Sequence, residues 1–181
     1  PDDMNRTWIG SEYWANRLQD WHIKDGRLEC LEARIAKPVR TVHLLTHRLS
    51  NRAENFELSV KTGPLNITDH SAHSGWSGFL IGAGDSIMDY RGASLVHHKP
   101  GKGGGILAVM ESTGKVVFRD MEADDYAVLA SDSNSPSSPL ESVLLVLKGE
   151  PTANNYFTLE LVVKDLATNT ILSTVSLENI K

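Results

Sequence analysis

The sequence predicts an all-β domain whose antiparallel strands form a sandwich, a jelly roll or a barrel. Three observations lead to this prediction. Apolar residues recur at every second position in several segments, turn residues separate these segments at short intervals, and no segment of helical length carries an apolar stripe of 3.6-residue period. A chain of 181 residues suits a single domain spanning 1–181, because sandwiches often reach this length as one unit.

Four segments carry the strand signal most clearly. Residues 56–61 and 156–164 alternate between apolar and polar side chains, which predicts strands with one buried face. Residues 106–110 and 143–147 are continuous apolar runs, and they predict central strands covered on both sides. A buried helix would have the same composition, so that alternative stays open for these two runs.

Short polar connections separate neighbouring strand segments and predict antiparallel hairpins. The predicted pairs are 21–24 with 27–31, 39–49 with 54–61, 106–111 with 116–119, and 156–164 with 170–177. About ten or more strands are expected in total. The best helical candidate, 121–130, is short and lacks a clear apolar face, so helix is expected to be minor.

Composition argues against two classes of partner. The net charge is −5, and the lysines and arginines are scattered along the chain, so nucleic acid is not expected to bind. No run of about 18 apolar residues is present, so membrane insertion is not expected either.

The familiar catalytic patterns are incomplete. Residues 75–79 read Gly-Trp-Ser-Gly-Phe and miss the final glycine of a serine-hydrolase turn. The glycines of 101–105 are not followed by the Gly-Lys-Ser/Thr sequence of a phosphate loop. Glu122, Asp124 and Asp125 lie in a polar stretch, where solvated charges explain them better than paired glycosidase acids. The sequence predicts no catalytic residue, although a dispersed carboxylate pair would escape this test.

Metal binding has one weak candidate. His70 and His73 flank Asp69 in a Gly/Ser-rich loop, and Asp85 or Asp89 folding back would complete three ligands. Spacing alone is poor evidence, and solvated loop histidines are the preferred interpretation. We therefore predict no metal site and no cofactor.

A ligand-binding site is predicted in 74–91. Trp76, Asp85, Asp89, Tyr90 and Arg91 lie there between glycines, and sugar-binding surfaces combine an aromatic ring with fixed polar groups in this way. Two alternatives remain open. Trp76 would be a packing residue, as most tryptophans are, and Asp89 and Arg91 would form an internal pair that fixes the loop.

Several short segments of the sequence resemble segments of known protein families. Trp8-Ile9-Gly10 and the segments 13–21, 25–30 and 42–46 resemble the region that precedes the catalytic domain in some bacterial PhoD-like alkaline phosphatases. Gly78-Phe79-Leu80-Ile81-Gly82, Asp89-Tyr90-Arg91 and the Gly-rich hairpin are similar to the middle strands of concanavalin A-like, or laminin G-like, jelly rolls. Together these resemblances cover most of 7–120.

The resemblance implies two packed antiparallel sheets of about a dozen strands in a jelly roll. It further implies an N-terminal fragment of a larger exported protein, periplasmic or extracellular. The phosphatase chemistry would lie outside this chain, since a two-metal centre needs a set of Asp, Asn and His ligands that is missing here.

Three functions follow as hypotheses. The first is a ligand-binding accessory domain, with polysaccharide as the ligand class. The second is a structural domain that docks against an adjacent catalytic domain. The third is a glycan-cleaving enzyme with dispersed carboxylates.

Overall fold

The computed structural model describes residues 4–32, 39–49, 54–65, 75–89, 91–92, 101–132 and 142–181. Within these ranges the chain forms twelve β-strands, and its regular helical elements are three short 3-10 turns. The predicted all-β class is confirmed. The strands are β1 Tyr13–Ala15, β2 Trp21–Lys24, β3 Arg27–Cys30, β4 Val42–Leu44, β5 Phe56–Thr62, β6 Trp76–Ile81, β7 Ile106–Glu111, β8 Val116–Asp120, β9 Val128–Ser131, β10 Val143–Pro151, β11 Phe157–Asp165 and β12 Ile171–Ile180. The 3-10 turns are Leu18–Asp20, Asp124–Tyr126 and Ala153–Asn155.

Two four-stranded antiparallel sheets form the body of the described structure. The first sheet has the order β12-β11-β10-β5, and the second sheet has the order β6-β7-β8-β9. Two smaller ribbons, β1-β4 and β2-β3, come from the N-terminal part of the chain. Two sheets packed face to face agree with the predicted sandwich.

The main core lies between the inner faces of the two sheets. Side chains of alternating positions meet there, as strand geometry requires, and Phe118, Leu145 and Leu161 are fully buried among them. Burying one such side chain stabilises the fold by about 1.5–3 kcal/mol. The alternation in 56–61 and 156–164 therefore marks strands with an inner face, as predicted.

The second sheet is also covered on its outer face. Leu107, Val109, Val117 and Met121 form a second buried cluster, and Val39 from the N-terminal part of the chain packs against it. Both faces of β7 are therefore apolar. This explains why 106–110 is a continuous hydrophobic run. The run forms a strand, so the alternative of a buried helix is wrong here.

The outer face of the first sheet carries mostly polar rows. Lys148 of β10 lies between Glu57 of β5 and Glu160 of β11. Its Nζ is 3.4 Å from Glu160 Oε2. The neighbouring row on one side contains Val146 and Val162, which are 4% and 3% exposed. On this outer face, the two valines therefore form a narrow apolar strip between rows that contain charged residues.

Three of the four predicted hairpins are confirmed. β2 pairs with β3 through Asp25 and Gly26, whose positive φ angles of 48° and 71° suit a tight two-residue hairpin turn. β7 pairs with β8, and β11 pairs with β12. The best helical candidate, 121–130, instead forms the Asp124–Tyr126 turn and the start of β9.

The predicted pairing of 39–49 with 54–61 is wrong. β4 pairs with β1, and β5 pairs with β10 in the first sheet. The physical reason is burial. The apolar face of β5 needs an apolar partner strand, and β10 supplies Leu145 and Leu147 opposite Val60 and Leu58, whereas β4 has only three residues.

Candidate functional site

The structure separates two residues of the predicted loop site. Trp76 begins strand β6, whereas Asp85 follows the other end of that strand. Six residues of strand place the two ends of β6 about 17 Å apart. The backbone N–H of Gly84 donates to Gly103 O, which keeps the start of the loop beside the Gly-rich hairpin. Trp76 and Asp85 therefore do not form one compact site.

Asp85 holds its own turn. Its Oδ1 accepts hydrogen bonds from the backbone N–H groups of Met88 and Ile87, each at 2.6 Å. These two bonds hold the pKa of the Asp85 carboxyl below its ordinary value, since they favour the charged form. The side chain thus has a clear local role in loop structure.

Asp89 and Arg91 form an internal pair. Arg91 Nε donates to Asp89 Oδ1 at 2.8 Å, and the Arg91 backbone N–H donates to the same oxygen at 2.9 Å. Both bonds, with the side-chain bond the stronger cause, lower the pKa of Asp89. Tyr90 lies outside the described residues. The sequence left open whether Asp89 and Arg91 form an internal pair, and the structure contains that pair.

The loop also approaches the β1-β4 ribbon. The pKa of His43 is lowered by burial, and the charge of Asp89 partly opposes that shift. The His43 ring lies 5.2 Å from the Trp14 ring, and His43 Nε2 is 3.1 Å from Thr41 Oγ1. The charge of Asp89 therefore acts on a residue of the β1-β4 ribbon.

A different cluster surrounds Trp76. Trp76 of β6 lies directly opposite Glu111 of β7, so both side chains point to the outer face of the second sheet. Arg119 of β8 donates from Nη2 to the Glu111 carboxylate and from Nη1 to the backbone oxygen of Tyr126, the latter at 3.0 Å. We call Trp76, Glu111, Arg119 and Tyr126 the aromatic–ion-pair cluster.

The register explains how Arg119 reaches Glu111. Along β7, Leu107 lies opposite Arg119 and Val109 lies opposite Val117. Glu111 comes two residues after Val109 on the same strand. The arginine side chain must therefore extend past Val117 along the sheet. Its aliphatic part lies over apolar surface, as long cationic side chains often do. The side chains of Arg119 and Glu111 are 21% and 12% exposed, so the pair is shielded from water yet still reachable.

Tyr126 is placed by an unusual piece of backbone. Asp125 and Tyr126 have φ angles of 57° and 52°, both in the left-handed region that non-glycine residues rarely adopt. Two such residues in succession turn the chain so that the Tyr126 carbonyl faces Arg119. The Tyr126 ring packs on the same apolar cluster as Trp76, and burial raises the pKa of its phenol.

Arg119 has an unused donor. Its Nε is buried and, in the described part of the chain, has no hydrogen-bond partner. A buried donor without a partner costs about 1–3 kcal/mol. A water or a polar ligand group that accepts from Nε would remove that cost.

Three of these four residues were missed by sequence reasoning. Glu111 and Arg119 are eight positions apart and flank a predicted hairpin. The register of the predicted hairpin places both residues on one face of the sheet, and this register could have indicated that they lie near each other. The diagonal reach of the arginine and the left-handed turn at Tyr126 leave no mark in the sequence pattern.

A second buried charge cluster lies near the N-terminal ribbons. Asp20 Oδ2 is 2.6 Å from Arg40 Nε and 3.1 Å from Arg17 Nε. Cys30 is close to this cluster, and burial raises the pKa of its thiol, which makes it a poor nucleophile. The arrangement is that of a structural ion pair.

The remaining candidates fit structural roles. Glu122 Oε1 accepts from the Gly103 backbone N–H at 2.7 Å and so fixes the Gly-rich hairpin. Within the described ranges, no three His, Cys, Asp or Glu side chains are grouped as metal ligands would be. His70 and His73 lie outside the described residues.

Comparisons with known proteins add no family. No protein-family model, no curated protein and no solved structure matches the chain. None of the helical segments that the structure describes has the length and apolar character needed to cross a membrane.

Proposed function

We propose that this chain is a non-catalytic, carbohydrate-binding accessory domain. The observation that carries the proposal is the position of Trp76 directly across from Glu111, whose carboxylate is held by Arg119. A half-buried indole thus lies beside fixed polar groups on a sheet face. Sugar sites need this combination, because a pyranose presents apolar C–H faces and polar hydroxyl edges.

The cluster is preorganised for hydroxyl groups. Arg119 is held by two oxygens, one from Glu111 and one from Tyr126, so its guanidinium has a fixed orientation. A sugar hydroxyl accepts from a guanidinium and donates to a carboxylate, and both groups are present within one ion pair. Groups that are already fixed lose little conformational entropy on binding.

The environment of Glu111 supports binding over cleavage. Glycosidases hold two carboxyl groups about 5–9.5 Å apart, one of them protonated to act as the acid. Glu111 is paired with the guanidinium of Arg119. A carboxylate held in such a pair accepts hydrogen bonds from sugar hydroxyls.

The wider setting is part of the same proposal. We infer that the sandwich is a jelly roll of the concanavalin A-like type. We also infer that the chain is an N-terminal portion of a larger exported protein. The adjacent catalytic domain would be a metallophosphatase. The two four-stranded antiparallel sheets support the sandwich, and the resemblance of 7–120 supports the rest.

A glycan array followed by titration calorimetry tests the binding proposal. The wild type should bind at least one polysaccharide class, and Trp76→Ala should weaken that binding about tenfold or more, because the stacking ring is lost. Trp8→Ala is the matched control, since Trp8 is 58% exposed and lies in the N-terminal part of the chain. Absence of binding to every glycan, or equal losses in both variants, would refute the proposal.

A docking function is the second candidate, and one observation favours it. Large apolar side chains are exposed in the N-terminal part, among them Trp8 at 58%, Leu31 at 56% and Leu45 at 48%. Such residues, if contiguous, mark a surface that packs against another domain. Mixing the separately expressed chain with the domain encoded next to it, and measuring complex formation for wild type and Leu31→Ser, separates this function from glycan binding.

A further inference from the structure

Among the described strands, β5 lies at one edge of the first sheet. No strand of the described ranges pairs with the other side of β5, so within these ranges that side of its backbone has no strand partner. An edge of this kind is a template for pairing with another strand. β5 also leaves an apolar inner-face position incompletely covered, since Val60 lies opposite the fully buried Leu145 and is still 39% exposed.

We propose that β5 pairs with β5 of a second copy of this chain, antiparallel and centred on Ser59. In that register Glu57 of one copy lies opposite Lys61 of the other, and the pair occurs twice by symmetry. Leu58 lies opposite Val60, also twice, and Phe56 lies opposite Thr62. Every directly opposed pair is of opposite charge, of matching apolar character, or neutral.

The charge rows of the sheet support this occupant. Within one copy, Glu160, Lys148 and Glu57 form a row of alternating sign that ends at the edge on a carboxylate. Lys61, Leu144 and Lys164 form another row, which contains two lysines and no carboxylate. In the dimer, Lys61 of the other copy extends the row that ends at Glu57. Glu57 of the other copy adds a carboxylate to the row that contains Lys61. The charge pattern of the edge is thus complementary to itself.

The opposite edge of the sheet lacks this property. β12 has Glu178 as its one charged residue. Antiparallel pairing of two β12 strands about Val175 would place Glu178 opposite Leu172, with no charge match. The charges of β5 therefore do two things: they discourage pairing with an arbitrary strand, and they favour a second copy.

The resulting assembly has a simple geometry. Two four-stranded sheets join into one continuous sheet of eight strands with a two-fold axis at Ser59. The interface is one short strand on each side, so its area is small and we expect a dissociation constant of about 10–100 μM. None of the four residues of the aromatic–ion-pair cluster takes part, so the dimer does not depend on the binding function.

Sedimentation equilibrium over a wide range of protein concentrations tests the proposal. The mass should rise from 19.9 kDa towards twice that value as the concentration increases. Glu57→Lys and Lys61→Glu each place like charges opposite each other twice, so each should raise the dissociation constant about tenfold or more. The double variant with both changes restores opposite charges and should dimerise as the wild type does.

A mixture gives the decisive readout. Glu57→Lys carries two lysines on β5 and Lys61→Glu carries two glutamates, so the two weak variants should form a heterodimer when mixed. Lys164→Glu is the matched control, because it changes a charge on the same face at β11, away from the edge. Circular dichroism confirms that each variant is folded. A wild type that stays monomeric throughout, or single variants that dimerise unchanged, would overturn the proposal.

Discussion

Asp20 and Arg40 form a buried ion pair in which Oδ2 lies 2.6 Å from Nε and each side chain is 7% exposed. Neither charge is stable in an apolar setting without the other, because each loses its water on folding. The pair joins the Leu18–Asp20 turn to the segment that leads into β4, two parts of the chain that are twenty residues apart. It therefore fixes how the N-terminal ribbons are connected.

Removing one member of this pair should strongly destabilise the fold. We expect Asp20→Ala to lower the free energy of unfolding by about 3–5 kcal/mol, because Arg40 would remain buried with Arg17 as its neighbour. Urea unfolding measures the change. Glu160→Ala is the control, since its ion pair with Lys148 is about 40% exposed and its loss should cost about 0–1 kcal/mol. Similar losses in both variants would contradict the structural role of Asp20.

A cavity at Phe118 should be costly. Phe118 is fully buried between the sheets, so Phe118→Ala should lower the free energy of unfolding by about 3–5 kcal/mol. Val128→Ala on the next strand is the control, because Val128 is 47% exposed and its truncation should change stability by no more than about 0.5 kcal/mol. Chemical unfolding of both variants checks the difference, and a loss below about 1 kcal/mol at Phe118 would speak against a packed inter-sheet core.

Two glycines with positive φ should respond differently to alanine. Gly105 has a φ of +79°, and an added Cβ would collide with the Ile81 carbonyl oxygen. Gly82 has a φ of +66°, but an added Cβ would meet nothing within 4 Å. We expect Gly82→Ala to cost about 1–2 kcal/mol from backbone strain and Gly105→Ala about 3 kcal/mol or more. Thermal unfolding of both variants tests the order, and equal losses would show that the collision is relieved.

Acid should weaken the turn at Asp165. Hydrogen bonds from the backbone and hydroxyl of Thr168, and a further backbone bond from Ala167, lower the pKa of Asp165. Because the folded pKa is below the unfolded value of 3.8, the unfolded chain binds the proton more tightly. This stabilisation is present above pH 3.8 and is lost as the pH falls through the folded pKa.

The variant Asp165→Asn isolates that effect. An amide oxygen still accepts hydrogen bonds but does not titrate, so the loss of stability between about pH 5 and pH 2 should be smaller than in the wild type. Urea unfolding at several pH values measures the two slopes. If the slopes coincide, Asp165 makes no contribution to the acid sensitivity of the fold.

Most of the strands could be predicted because burial leaves a periodic trace. β5 and β11 alternate, since each has one inner face, and β7 is continuously apolar because Val39 covers its other side. The pairing of β5 with β10 could not be predicted. The two strands are far apart in the chain, and nothing in the segment 39–61 excludes the simpler hairpin that the sequence suggested.

The candidate site was predicted only in part, for a related reason. Trp76 stood out because it is a tryptophan among glycines, but its neighbours Glu111 and Arg119 come from other strands. A binding surface on a sheet is assembled from several strands, so residues close in sequence, such as Asp85 and Asp89, point to the loop instead. Register, more than local composition, decides which side chains meet.

The distance in sequence between β5 and its partner has a consequence for biosynthesis. Thr62 pairs with Val143, a separation of 81 positions (143 minus 62), whereas β10, β11 and β12 follow one another directly. During translation from the N-terminus, β5 is made before β10 and waits for this partner while the residues between them are synthesised. We expect the contiguous three-stranded meander to form first and to recruit β5 in a late, slow step of folding.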